Sequence, residues 1–316
     1  MQAVQNGTGF PTGWPNPFLH ENTDEFAVLS NLVNQDNFTV EQALEHINDL
    51  TMVALSRYPS NPEQGHGLVE YRISQCVLEL AQRLEPNIHA KLVAFLVELS
   101  QRTAMNPSTG EPLEDQEGAV LWTELPSFGY SVDEEYYGPA YADPHDPDLD
   151  IVKKQRWSRL NAFLAQITQA TEIDYALPTT GDTKVPWRRT DKSPRAIWTF
   201  QTAFEEETEL SLLAQARSSA VWAACEWFIY ASETLWDQVQ HERKFGESEG
   251  TGPKYSSKGW TGFERERWHI WVEALEKIQQ ACASAENAAG EVDEDVKQRL
   301  QHALDSIRLA EGTSLG

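Results

Sequence analysis

The chain has 316 residues, of which 40% are hydrophobic and 10% are aromatic, enough for one large core or two smaller ones. Its 49 acidic residues outnumber 25 basic ones, which gives a net charge of −24 at pH 7. This charge repels phosphate backbones and anionic lipids, so it argues against nucleic-acid binding and against a role at membrane surfaces.

The cysteines indicate a reducing environment. Cys76, Cys225 and Cys282 are widely spaced and lie beside apolar residues in predicted helices, which argues against a disulfide framework and against a zinc site. The N-terminus has neither a basic start nor an apolar run, so no signal peptide is expected. The longest apolar stretch, around residues 221–231, is far shorter than the ~18 residues that cross a bilayer. We therefore expect a cytoplasmic protein.

In chain order, residues 1–22 are rich in Gly, Pro and Asn and are interpreted as a flexible tail. Residues 23–103 contain apolar positions at helical spacing, with a capping box in which Gln42 follows Thr39 by three residues. Short loops separate these predicted helices. The pattern predicts an N-terminal antiparallel helical bundle.

Residues 104–147 differ in character because they contain no lysine or arginine and combine many acidic residues with prolines and aromatics. Pure linkers seldom carry so many aromatic rings. We interpret this segment as an irregular acidic, aromatic-rich loop that wraps across the helical body. The alternative interpretation is a mobile acidic hinge.

Residues 148–316 form a Trp-rich C-terminal helical region, which we expect to share one compact domain with residues 23–103. Helices are predicted over 148–173, 195–208, 210–242, 261–282 and 291–310. No alternating strand pattern occurs, so the predicted fold class is all-α. Basic residues cluster near 153–159 and again at Lys184, Arg188, Arg189, Lys192 and Arg195. The favoured explanation is pairing with the acidic wrap; the alternative is a site for an anionic ligand.

The predicted helix 210–242 carries the candidate catalytic residues. It is apolar from Ala220 to Ala231 except for Glu226, and a narrow stripe runs along Trp222, Glu226, Tyr230, Glu233 and Asp237. If the stripe lines a cavity, Glu226, Tyr230 and Glu233 are candidates for acid–base catalysis. If it borders a solvent-facing groove, Glu226 is expected to pair with an arginine such as Arg217 or Arg265.

Ligand-binding candidates are aromatic residues and one histidine: Trp222, Trp122, Tyr136, Tyr137 and His269. Cofactor and metal motifs are missing from the sequence, so we expect neither a cofactor nor a metal. The acidic run from Asp143 to Asp150 lacks the glycine and glutamate of a calcium loop, and it is explained more simply as favouring the following helix dipole. Residues 205–207, three consecutive glutamates, are interpreted as a solvated helix face.

Three blocks carry a resemblance to a known family. They are Trp157-Ser-Arg-Leu-Asn-Ala-Phe-Leu-Ala165, Trp222 through Trp236, and Gly259-Trp-Thr-Gly-Phe-Glu-Arg-Glu-Arg-Trp268-His-Ile-Trp271; Val120 to Pro126 also fits. Together, roughly over residues 119–285, they resemble a fungal family catalogued as a domain of unknown function. The resemblance implies an all-helical, cytosolic fungal protein, and it raises the chance of an enzyme of secondary metabolism without naming an activity.

Two functions follow as hypotheses. The first is a soluble helical protein that binds a small apolar molecule or a protein partner in an aromatic and acidic groove. The alternative is a cofactor-independent cyclase, isomerase or lyase that uses carboxylate and tyrosine acid–base chemistry in an aromatic pocket. Whether the protein is an enzyme stays open, as does its oligomeric state.

Overall fold

The structure, a computed structural model, describes residues 23–57, 62–115, 118–138, 143–177, 189–284 and 293–313. Within these ranges the regular secondary structure is helical, and the β-structure consists of three isolated bridges. The predicted all-α class is thus confirmed. The predicted tail at 1–22 and the basic residues Lys184 and Arg188 lie outside the described residues.

Four helices build the N-terminal bundle: α1 (Asp24–Asn34), α2 (Val40–Arg57), α3 (Pro62–Arg83) and α4 (Ala90–Ser100). The capping box predicted at the start of α2 is present, because the Thr39 amide donates to Gln42 Oε1 at 2.9 Å and the Gln42 amide donates to Thr39 Oγ1 at 3.2 Å. Leu29, Leu44, Leu92 and Phe95 are buried at the centre of this bundle.

The acidic segment contains a helix, α5 (Pro126–Tyr136), where the sequence analysis expected irregular structure. The expectation was based on the prolines of this segment. Pro126, however, occupies the first turn of α5, where proline is tolerated. Two left-handed residues precede α5, Trp122 with φ 67° and Leu125 with φ 42°. The buried Glu70 side chain of α3 accepts the Ser127 amide at 2.9 Å and so holds the start of α5 against the bundle.

The C-terminal region contains α6 (Ile151–Gln169), α7 (Ser193–Phe200), α8 (Leu212–Ala216), α9 (Ser219–Gln240), α10 (Arg265–Ser284) and α11 (Glu294–Thr313). Two helices predicted as continuous are interrupted. The first becomes α7 followed by a π-helical turn, Gln201–Glu205. The second divides into α8 and α9, because Ser218 caps α9 by accepting the Val221 amide at 3.3 Å.

Helix α9 lies at the centre of this region and packs against α6 and α11. Its alanines allow close approach of these neighbours, and Trp157, Trp227, Trp268 and Trp271 fill the surrounding core without solvent exposure. Buried apolar side chains from Leu29 to Ala310 form one contiguous cluster. None of the described helices is both long and apolar enough to cross a membrane.

Candidate functional site

The stripe on α9 is divided between the interior and the surface. Glu226 is buried, with 5% of its surface exposed, and Trp222 and Tyr230 are partly buried. Glu233 and Asp237 are exposed, and Glu233 Oε2 accepts a hydrogen bond from Gln169 Nε2 at 3.1 Å. The three candidate catalytic residues therefore lie in different environments, and Glu233 is on the outside of the protein.

The Glu226 carboxylate is held by two neighbouring helices. Ser158 of α6 donates its hydroxyl to Oε1 at 2.7 Å, and the Arg299 guanidinium of α11 forms an ion pair with the same oxygen. An ion pair with an arginine was expected for Glu226 and is present, but the candidates named for it, Arg217 and Arg265, were wrong. Arg299 lies far from Glu226 in the sequence and on a different helix, so the spacing of residues on α9 could not identify it as the partner.

Trp222 stacks on this ion pair instead of presenting a free ring face. The Arg299 guanidinium carbon lies 4.5 Å from the Trp222 ring centroid, and Lys154 Nζ lies 5.8 Å from it. The indole Nε1 donates to the Ala216 carbonyl oxygen at 3.0 Å. Two cations thus lie close to the Trp222 ring, which was expected to contact a ligand.

Burial changes the acid–base properties of this cluster. Desolvation raises the pKa of Glu226, while Arg299 and the Ser158 hydroxyl oppose the rise. Burial also raises the pKa of Tyr230, and the Glu226 charge raises it further. Tyr230 follows Glu226 by one turn of α9 and is partly buried.

The remaining ligand-binding candidates are dispersed. Tyr136 is fully buried and its hydroxyl hydrogen-bonds Thr199 Oγ1 at 2.9 Å, while the neighbouring Tyr137 is 53% exposed. Trp122 is buried beside a pocket of about 380 Å³ in the N-terminal bundle, which Leu44 also lines. His269 is exposed on α10. These residues are positioned by different helices and do not converge on Glu226.

A surface groove of about 430 Å³ combines aromatic and aliphatic side chains with three glutamates and two lysines, Lys254 and Lys277. It is formed by the π-helical turn, α8, α10 and the loop that contains Tyr255. Apolar residues on its surface include Phe204, Leu212, Ile270 and Ala274, while its carboxylates are Glu206, Glu207 and Glu273. This aromatic and acidic groove, hereafter the α8–α10 groove, differs from the location predicted from the sequence.

Glu205 and Arg267, both fully buried, hold the π-helical turn that forms one side of the groove. Glu205 Oε1 accepts hydrogen bonds from Arg267 Nε and Trp271 Nε1, each at 2.7 Å. Glu205 had been interpreted as part of a solvated helix face, which is wrong. The π-helical turn rotates this side chain inward and leaves Glu206 half-buried and Glu207 exposed.

Arg267 also organises the loop that follows α9. Its Nη1 atom donates to the carbonyl oxygens of Glu249 at 2.8 Å and Gly262 at 3.0 Å, and Nη2 donates to that of Gly250 at 2.7 Å. The Gly252 amide in turn donates to Glu205 Oε2 at 2.7 Å. The ion pair therefore connects the π-helical turn to the loop that contributes Lys254 and Tyr255 to the groove.

The acidic run at 143–150 includes the residue that caps the start of α6. Asp150 is the N-cap and accepts the amides of Val152 and Lys153 at 3.1 Å each. Asp146 Oδ1 accepts the Asp148 amide at 2.8 Å. Within the described part of the chain, no group of three His, Cys, Asp or Glu residues is arranged to hold a metal ion.

Sequence reasoning missed Glu205, Arg267 and the groove above them. The single available signal was composition, since Arg267 is a charged residue within a block dense in tryptophan. Charges in such surroundings need a buried partner. The partner is 62 positions away, however, and no local spacing identifies it.

The fold and these sites define a helical protein with a buried carboxylate in its central helix and an aromatic, acidic groove on its surface. The chain belongs to the family described as Protein of unknown function (DUF3632), whose model matches residues 75–275. The expected membership is confirmed, and the matched segment begins within α3, earlier than the span of the recognised motifs. No curated protein and no solved structure matches the chain.

Proposed function

We propose that this protein is a binding protein whose α8–α10 groove receives a basic, amphipathic segment of a protein partner. The observation that carries the proposal is the combination of apolar surface and carboxylates in one open groove. Protein interfaces have the same organisation, with an apolar centre and a polar rim.

The apolar part of the groove supplies the anchoring surface. Leu212 is 39% exposed on α8, and Ile270 and Ala274 are half-buried on α10. A partner side chain that covers these residues gains about 25 cal/mol for each Å² of apolar surface removed from water. Helix-in-groove recognition uses this kind of contact.

Charge favours a basic partner. Lys277 forms an ion pair with Glu273 at 2.8 Å, and Glu206 hydrogen-bonds His145 at 2.7 Å, so two of the three groove carboxylates are paired within the chain. Lys254 also lines the groove, and Glu207, exposed on its rim, is the carboxylate that a basic partner would meet. The net charge of −24 attracts cations over long distances and speeds their encounter with the groove. The same charge disfavours nucleic acid as the partner.

The groove is preorganised by the Glu205–Arg267 pair, which fixes the π-helical turn and the loop on its two sides. A rigid site loses less conformational entropy on binding than a site that must first become ordered.

We place this binding function in the cytoplasm as part of the proposal, because Cys76, Cys225 and Cys282 are buried free thiols.

The test uses a fluorescein-labelled amphipathic helical peptide of leucine and lysine, with a leucine and glutamate peptide as its counterpart. We expect the lysine peptide to bind with Kd on the order of 10 µM in fluorescence anisotropy and to weaken as salt rises. The double variant Glu206→Gln/Glu207→Gln and the variant Leu212→Ser should each weaken binding by about tenfold.

The control for these variants is Glu45→Gln/Asp49→Asn, which removes two exposed carboxylates from α2 in the N-terminal bundle. It changes the net charge equally and leaves the groove intact. If the control weakens the lysine peptide as much as the groove variants do, the binding is nonspecific electrostatics and the proposal fails. Failure of the lysine peptide to bind the wild-type protein also overturns it.

The second candidate is a cofactor-independent enzyme, and the observation that favours it is the burial of the Glu226 carboxylate one turn of α9 before Tyr230. A carboxyl group with a raised pKa is suited to proton transfer near neutral pH. The Ser158 and Arg299 contacts to Oε1 favour a structural role instead. The stability of the Glu226→Gln variant separates the two roles.

A further inference from the structure

Helices α5 and α7 meet at a cluster of aromatic rings and cations away from the α8–α10 groove. The guanidinium carbon of Arg195 lies 3.9 Å from the Trp198 ring centroid and 5.5 Å from that of Tyr136. Tyr137, which is 53% exposed, lies 6.2 Å from Trp198 between ring centroids. Asp133 of α5 forms an ion pair with Arg195.

Lys192 lies one turn before Arg195 and is packed against an aromatic ring. Its Nζ atom is 5.0 Å from the Phe128 ring centroid. The adjacent Asp191 directs its carboxylate elsewhere, to Arg243 Nη2 at 2.8 Å and to the Ser193 amide at 3.0 Å. Among the described residues, no carboxylate forms an ion pair with the Lys192 ammonium.

Two further donors in the cluster are buried without an acceptor on the described residues, Arg195 Nη1 and Trp198 Nε1. A buried donor without an acceptor destabilises the folded state, and it does so more strongly when it is charged. A bound ligand or ion is one of the ways in which native structures satisfy such groups. Arg195 Nη1 and Trp198 Nε1 thus lack an acceptor among the described residues, although the Arg195 guanidinium also pairs with Asp133. Lys192, the N-cap residue of α7, adds a second cation to the cluster.

We propose that Lys192, Arg195 and Trp198 bind the oxyanion of a small ligand, a carboxylate or phosphate group, whose remaining part lies against Tyr137. Charge-assisted hydrogen bonds from the ammonium and the guanidinium would hold the oxygens, and the indole N–H would fix their orientation. The exposed ring of Tyr137 provides a face for an apolar or aromatic body.

Burial disfavours the charged forms of both cations in the cluster. Burial lowers the pKa of Lys192 to about 8 and that of Arg195 to about 10. The charged groups that act on Lys192 are Asp191 and Arg189, and those that act on Arg195 are Asp133 and Glu249. A bound oxyanion would restore both pKa values towards their ordinary range, so binding should weaken above pH 8 as Lys192 loses its proton.

Isothermal titration calorimetry with two probes, inorganic phosphate and benzoate, tests the proposal on the full chain. We expect at least one probe to bind with Kd near or below about 1 mM at pH 7. Binding of phosphate alone identifies a phosphate ligand, and binding of benzoate alone identifies an aromatic carboxylate. Binding of both supports a general oxyanion site, and binding of neither overturns the proposal.

Two variants locate the site. Lys192→Gln removes the ammonium, and Trp198→Phe keeps an aromatic ring while removing the N–H donor. We expect about a tenfold loss of affinity for the first and about threefold for the second, both without a lower melting temperature, since neither removes an ion pair. The control Lys254→Gln removes an exposed cation from the α8–α10 groove. Equal affinity of wild type and Lys192→Gln would overturn the assignment.

Discussion

Glu205 and Arg267 form an ion pair in which neither side chain has any solvent exposure. The pair is completed by Trp271 Nε1 and by backbone groups of the loop after α9. Because each charged group is hydrogen-bonded, the cost of burying it is offset within the protein. The stability of the π-helical turn depends on both partners.

We expect Arg267→Met to lower the free energy of unfolding by about 3–5 kcal/mol, because it leaves the Glu205 carboxylate buried and without a counter-ion. Urea denaturation followed by tryptophan fluorescence measures the loss. The double variant Glu205→Gln/Arg267→Met removes both charges and should recover part of it. A double variant no more stable than Arg267→Met would contradict this explanation.

Gly252 lies so close to Glu205 that a side chain does not fit. A Cβ atom at this position would lie 2.5 Å from Glu205 Cβ and 2.9 Å from the Glu205 carbonyl oxygen. We expect Gly252→Ala to destabilise the protein by about 2–4 kcal/mol in thermal denaturation, because the loop must move away from the ion pair. Gly129→Ala in α5 is the matched control, since its Cβ meets nothing within 4 Å. It should be neutral or stabilising by up to about 1 kcal/mol.

Glu226→Gln distinguishes a structural carboxylate from a catalytic one. We expect it to lower the free energy of unfolding by about 2 kcal/mol, because Arg299 loses its ion pair while 24% of its side chain stays in contact with solvent. Glu233→Gln, at an exposed position on the same helix, should change stability by less than about 0.5 kcal/mol. If Glu226→Gln is as stable as the wild type, the enzyme hypothesis gains support.

The pH dependence of stability should contain a contribution from Glu70. Burial raises the pKa of this carboxyl from 4.5 to about 7 in the folded protein. Between these values the folded state holds a proton that the unfolded state has released, so stability falls as pH rises from 4.5 to 7. The full effect is about 3 kcal/mol. It should appear as the difference between wild type and Glu70→Gln in urea titrations at several pH values.

His89 contributes to the same profile with the opposite sign. Burial lowers its pKa from 6.5 to about 4, so between pH 4 and 6.5 the unfolded state binds a proton that the folded state does not. Its contribution to stability falls as pH falls through this range. The wild-type profile should therefore be flatter than that of either Glu70→Gln or His89→Gln. A flat difference between wild type and Glu70→Gln would contradict the Glu70 assignment.

Much of the fold was predictable because helices have local signals. The capping box at Thr39 and the apolar spacing of α9 depend on residues within a few turns of each other. The π-helical turn at 201–205 was not predictable from local spacing, because the buried partner of its Glu205, Arg267, lies 62 positions away. The presence of α5 within the acidic segment likewise depends on Glu70, a residue 57 positions away from the amide it caps.

The candidate site was predictable in part. The stripe on α9 identified Glu226 as a carboxylate in an apolar environment, and the structure places it in the interior. The partner of Glu226 was not predictable, since Arg299 lies on a different helix and outside the segment that the family model matches. The groove depends on four elements that meet only in the folded chain.

Helix α11 covers α9 and supplies Arg299, and its Glu311 accepts the Trp268 indole N–H of α10 at 2.8 Å. Because this helix is synthesised after all the others described, the Glu226 face of α9 cannot close while the nascent chain is still being elongated before residue 294. The core around Glu226 therefore stays incomplete until α11 has been synthesised. Before then part of the apolar surface of α9 is uncovered, the kind of surface that makes incomplete chains prone to aggregate.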